Sequence, residues 1–391
     1  MPVWLDAIPE KAPKVVRPST GRWLLFLAFV MLAGIALTLW CWTSERTGFV
    51  FWFTALGLPF CTWGLIFGLR RFAYKAEQVG AESRNVQREA LIDSEILRGQ
   101  RSAWILGTYI QSPAGNKADD LLKAMKVAAP AIDFSCPRGC DKPVRYAALS
   151  EYQTDLTKAL TAAVTKLTTR VEGIVQPLPS ELPCWLMLDC DSDLYPLVEE
   201  QLKAELSLKT GRIFRVMAGK GLSAFDAWLD KRWDTPGIMV AITLSLPASP
   251  REEDADAVSM VVLSNRKARA WPDALRLHRP EKGAETTLTK TLTRALLWAN
   301  TLPNELKGSW ISGPTLTMGS SWNNACEASG VEFSLSEDNF SIDPVLGYTG
   351  RAAPWAAITL AGAAFDQRGV QVIAAQPAAD KDDIWVAVIT K

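Results

Sequence analysis

The segment Trp185-Leu-Met-Leu-Asp189-Cys-Asp191-Ser-Asp193 runs an apolar stretch into three alternating carboxylates. It is the sharpest candidate for chemistry in the chain. Asp193 reads differently, as an N-cap for a helix starting at Leu194. Other reactive side chains are sparse. The single histidine, His278, lies in a basic stretch, Arg276-Leu-His-Arg279, and reads as a surface residue. Cys136 and Cys140 are close in sequence, but a structural zinc needs four ligands, so the pair reads as two ordinary thiols in a turn. No G-x-S-x-G, P-loop or H-E-x-x-H motif occurs.

The Asp189 and Asp191 pair resembles the D-x-D opening of haloacid-dehalogenase-like phosphatases. That resemblance implies Asp189 as nucleophile, Asp191 as general acid, and a metal-dependent phosphatase as one reading of the chain. The sequence departs from that pattern where Asp193 stands in place of the expected Thr or Val, and no ordered lysine and paired acids follow.

The elements that must position these residues fall into two groups. Residues 23–43 and 49–69 each run about twenty positions without a charge, enough to cross a ~30 Å hydrocarbon core as helix. Only Ser44 to Gly48 separate them, which makes a transmembrane hairpin. Lys11, Lys14, Arg17 and Arg22 precede it and Arg70, Arg71 and Lys75 follow it, against Arg46 alone in the connection. Both termini are therefore expected in the cytoplasm of a bacterial inner membrane. Residues 1–22 form a basic tail. Residues 71–100 read as a helical linker whose thin apolar stripe, Ala76, Val79, Val86, Ala90 and Ile96, belongs to a solvated spacer helix, with a homodimer seam as the alternative.

From 101 to 391 short apolar runs alternate with helical patterns, which is the signature of an α/β domain. Strands are expected at 104–110, 185–188, 213–217, 237–246 and 257–263, with helices at 152–171, 194–208 and 223–233. A second series follows: helix 286–300, strand 309–312, a short helix at 322–328, a turn at 347–350, helix 353–365, and strands 370–374 and 384–389. Each series ends in an antiparallel pair, so the domain reads as an internal duplication with halves at about 101–265 and 270–391. Lys plus Arg equals Asp plus Glu at 42 each, so no global field supports nucleic-acid binding. No cofactor motif is present.

This arrangement resembles the thiolase-like superfamily, and the β-ketoacyl synthases in particular. The resemblance rests on Asp343-Pro-Val-Leu-Gly347-Tyr348-Thr349-Gly350-Arg-Ala-Ala353, similar to the synthase segment with a G-H-T signature, and on Ile311-Ser-Gly-Pro-Thr-Leu-Thr with Asn323, Asn324 and Glu327. It implies a duplicated five-layer α/β/α/β/α domain. It also implies a nucleophilic Cys at a helix N-terminus with basic partners, and these are missing. Tyr348 replaces one histidine, Ser312 and Gly313 stand at the other histidine strand, and the loop 247–256 has no Cys. The implied protein is a catalytically inactive, membrane-anchored interaction or adaptor protein, with a membrane-bound acyl-transfer enzyme as a further alternative. Its layout is also similar to uncharacterised membrane proteins encoded among bacterial type VI secretion genes, which points to secretion machinery as the unidentified protein partner beside the lipid bilayer.

Overall fold

A computed structural model describes residues 5–138 and 142–391. Cys140 lies outside the described residues, so the turn expected around it has no structural account. The chain divides into two compact units, 5–95 and 96–391.

In the first unit, helix α1 (Thr20–Cys41) is followed, after a short turn, by a helical segment from Phe49 that passes through a π turn at Phe53–Gly57 into α2 (Leu58–Gly99). Both stretches are long and apolar enough to cross a membrane. The π turn has a local cause. Pro59 has no N–H to continue the ordinary ladder, so the bonds ahead of it lengthen to i→i−5, as from Leu58 N to Phe53 O. Gly34 of α1 packs against that proline, and a Cβ at Gly34 would fall 2.2 Å from Pro59 Cγ. Only glycine permits this approach. The first helix stops at Cys41, two residues short of the sequence expectation, because Trp42 leaves helical geometry and donates its indole N–H to the Glu45 carbonyl at 3.1 Å. Residues 71–99 belong to α2, which runs unbroken from Leu58 to Gly99.

The second unit is built on an eleven-stranded mixed sheet. Its first half contributes β1 (Ser102–Gln111), β2 (Cys184–Asp189), β3 (Phe214–Val216), β4 (Ile238–Ser245) and β5 (Ala257–Ser264). The second half contributes β6 (Leu275–His278), β7 (Ser309–Ser312), β8 (Asn339–Ser341), β9 (Gln371–Ala375) and β10 (Ile384–Thr390), with Glu281–Gly283 as an extra strand beside β10. The spatial order is β3-β2-β4-β5-β1 in one half and β8-β7-β9-β10-β6 in the other. These are the same ordinal series. In each half the second strand lies parallel to the third and fourth, and the fifth is antiparallel to both its neighbours. The halves join where β1 pairs antiparallel with β6. The duplication read from element order is therefore present in the strand topology.

Helices complete the layers. Helices α3 (Leu156–Val175) and α4 (Tyr195–Thr210) cover the outer face of the first half through Leu160, Leu167, Val198 and Leu202. On the second half the corresponding cover is α6 (Leu288–Ala299) and α7 (Ser321–Ala328), following α5 (Gly221–Lys231) in the chain. Between the two sheet halves lie α5 and α8 (Ala353–Arg368), packed with Trp185, Met239, Trp310 and Ile389 in one buried cluster. This makes the five layers α/β/α/β/α. Helix α8 is buried on nearly all sides, which is what an apolar helix without a polar face requires.

Candidate functional site

Asp189 ends β2 and is 5% exposed. Burial pushes its carboxyl up from the usual range, while Arg351 and then Lys220 pull against that shift. Arg351 comes from the opposite half of the domain, in the short turn that leads into α8. Its guanidinium lies 2.6 Å from Asp191 Oδ1 and 3.5 Å from Asp189 Oδ1. Asp191 Oδ2 is buried with no hydrogen-bond partner among the described residues. Lys220 and Gly221 stand at the start of α5, and a Cβ at Gly221 would lie 4.0 Å from Asp189 Oδ2. Gly221 has φ +52° and Gly350 has φ +53°, a left-handed conformation suited to glycine. Both central helices are thus entered through the same backbone device.

A second cluster sits at the end of β7. Ser312 Oγ donates to Asp343 Oδ1 at 2.5 Å and the Gly313 amide donates to Asp343 Oδ2 at 2.7 Å. Burial raises the Asp343 carboxyl to about 6, partly offset by those two bonds. Tyr348 donates its hydroxyl to the Gln376 carbonyl at 3.1 Å, and its backbone bridges Asp254. Asp343 and Tyr348 line a cavity of about 180 Å³ together with Arg251, Asp254 and Pro314. The three positions Ser312, Gly313 and Tyr348 do gather in space. What organises two of them is Asp343, which sits within the same quoted motif but carries no signal of its own in the sequence.

No protein-family model matches the chain, and no curated protein matches it by sequence. Solved structures do. The oxazolomycin ketosynthase domain of Streptomyces albus matches with a TM-score of 0.52 at 11% identity, covering 74% of this chain and 75% of that one. The ketosynthase of module 6 of the bacillaene synthase of Bacillus subtilis matches with a TM-score of 0.53 at 10% identity, over 74% and 70%. The module 1 ketosynthase of the bacillaene synthase of Bacillus amyloliquefaciens gives 0.51 at 9% identity, over 75% and 76%. The fold is that of the thiolase-like ketosynthases.

Cys184 opens β2, Cys190 follows its end, and Cys326 is inside α7; all three are buried. Burial pushes the Cys190 and Cys326 thiols up to about 12 and also raises Cys184. None of the three starts a helix. The loop 247–256, which has no Cys, leads into β5, a strand, and not into a helix. The helix that follows the third strand in the first half is α5, and its N-terminus carries Gly219-Lys220-Gly221.

Three further expectations change with the structure. His278 is not on the surface. It belongs to β6, is 3% exposed, pairs with Ser102 in register, and contacts Thr390 Oγ1 through Nε2 at 2.9 Å. Burial lowers its imidazole to about 4, so it is neutral at physiological pH. Asp193 does not cap a helix: α4 begins at Tyr195, and the turn into it is closed by the Asp191 carbonyl, which accepts from Leu194 and Tyr195. The donor set at Asp189 and Asp191 does not fit a divalent metal, because a guanidinium already bridges the pair and Lys220 adds positive charge beside it. Nor do the described residues bring three or more potential ligands of the His, Cys, Asp or Glu type together anywhere. Lys220 belongs to no motif in the sequence, and Arg351 carries no signal of its own within the segment 343–353. Arg351 lies 162 positions from Asp189, and no local pattern links them.

Proposed function

We propose that the chain is a membrane-anchored ketosynthase-fold protein that does not condense acyl chains and acts through its surfaces, as an adaptor or accessory to another protein. The observation that carries this reading is the Arg351 ion pair with Asp189 and Asp191 beside the start of α5. Condensation needs a thiolate activated by a helix N-terminus, with bases within a few ångströms of it. Here the polar groups beside that helix start neutralise one another, Cys184, Cys190 and Cys326 are buried thiols, and Cys136 is exposed but starts no helix. The apolar hairpin holds the domain at the bacterial inner membrane with both termini cytoplasmic, in accord with the positive flanks. The layout favours secretion machinery of the type VI kind as the first partner to examine.

The experiment is photo-crosslinking of the full chain in intact membranes, with the crosslinker placed at exposed positions of α3 and α4. Discrete adducts with another protein are expected, along with cytoplasmic signals from reporters fused at either end. Adducts with lipid alone, or a periplasmic C-terminus, would contradict the proposal.

A further inference from the structure

At one end of the hairpin unit, Arg17 from the segment ahead of α1 faces Arg70, Arg71 and Lys75 of α2 around a cavity of about 260 Å³, with Thr20 and Phe67 in its wall. Among the described residues Arg17, Arg70 and Arg71 have no carboxylate partner, and Lys75 donates only to Gln78 Oε1 at 3.1 Å. All four are exposed, so water screens part of their mutual repulsion, and an anion among them would relieve the rest.

The chain holds them there. The segment ahead of α1 is tied along α2 by Arg88 Nε to the Pro9 carbonyl at 2.7 Å and by Ala12 N to Asn85 Oδ1 at 2.8 Å. The first turn of α1 adds amide groups with no side-chain cap from Ser19.

What lies next to the cations indicates the source of the anion. Phe67 stacks on Trp63 with ring centroids 5.0 Å apart and meets Trp23 at 5.5 Å, while Trp63 donates its indole N–H to the Trp23 carbonyl at 3.0 Å. Indoles favour the headgroup zone of a bilayer. Beyond this ring the helix surface is apolar and open, with Leu24, Leu58 and Phe60 all more than half exposed. A phosphate reaching the cavity with acyl chains attached would place its tails along that surface. A free phosphate would leave the apolar side wet.

We infer that this pocket binds the phosphodiester headgroup of an anionic phospholipid. The inference rests on the reading of the hairpin as membrane-spanning. Its test uses the full chain in nanodiscs of phosphatidylcholine with a minority of phosphatidylglycerol, with retained lipid counted by native mass spectrometry. Retention should favour phosphatidylglycerol by about tenfold, and Arg17→Gln and Arg71→Gln should each reduce that preference several-fold. Arg84→Gln, farther along α2, should leave it unchanged, with equal helical circular dichroism in all variants. Equal retention of the two lipids, variants indistinguishable from the parent, or displacement of the retained lipid by excess inorganic phosphate would overturn the headgroup site alone. Failure of the chain to float with liposomes would overturn the membrane reading together with it.

Discussion

The two halves of the sheet domain share strand order and the left-handed glycine ahead of each central helix, yet their second strands end in different chemistry. In the first half β2 ends on Asp189, which is held by an arginine from across the domain. In the second half β7 ends on Ser312, which serves a buried carboxyl from its own half. The frame is specified by apolar alternation and tolerates either ending. What the comparison teaches is that the strand ends and helix starts are free to diverge once the layers pack, because few core contacts depend on them.

The largest expected effect lies at the far end of the central helices, where the halves also differ. Asp230 of α5 receives Arg98, Arg101 and Arg279, the last of them 1% exposed. Burial works against the Asp230 carboxyl, but bonds from Arg98 and Arg279 hold it down at about 2. Its stabilisation is present above the unfolded value near 3.9 and is lost as pH falls towards 2. Asp230→Ala should destabilise fragment 96–391 by about 3 kcal/mol in urea titration at pH 7, by leaving a buried guanidinium short of charge.

Removing the cross-domain pair comes next. Arg351→Ala should cost about 2 kcal/mol at neutral pH, since Asp189 stays buried without its counter-charge. The Asp189 carboxyl is already raised, so its contribution is present at low pH and is lost as pH rises. The Arg351→Ala deficit should therefore shrink on acidification, and Asp189→Asn in the same chain should recover part of it. A pH-independent deficit would mean that the pair is a packing contact only.

The second-half counterpart should respond more weakly. Asp343 rises from 3.8 to about 6, so its contribution is intact below 3.8 and lost as pH climbs through about 6. Asp343→Asn should cost about 1 kcal/mol at low pH through one mispaired hydrogen bond, and it should flatten thermal stability across that window. Asp256, also raised to about 6 by burial, would keep the remaining slope. The smallest effect is expected at the end of α8. Its half-exposed Arg368–Asp338 pair at 2.8 Å should be worth less than about 1 kcal/mol when Asp338 is replaced by Ala.

Much of this frame was legible in the sequence wherever an element had a buried face of its own. β2, β4, β5, β9 and β10 are apolar runs with buried side chains on both faces, and they read as strands from composition alone. The strands of this sheet without such a run are β6, β8 and Glu281–Gly283, whose Arg276, His278, Lys282 and Asn339 look like loop residues. They become strand residues only because β1, β10 and β7 supply partners from elsewhere in the chain. The same reason hid the site. Asp189 and Asp191 stand out locally, but the group that decides their chemistry is Arg351, and contact across 160 positions from Asp191 leaves no trace in spacing. Asp343 was hidden differently, since an Asp-Pro pair after a polar stretch reads as an ordinary helix start.

The most direct test of the central claim is intact-protein mass spectrometry of the purified chain after incubation with acyl- and malonyl-thioesters. No covalent adduct on Cys184, Cys190 or Cys326 is expected at neutral pH, because none of these buried thiols is placed or activated for attack. A stoichiometric acyl adduct on Cys184, Cys190 or Cys326 would contradict the account.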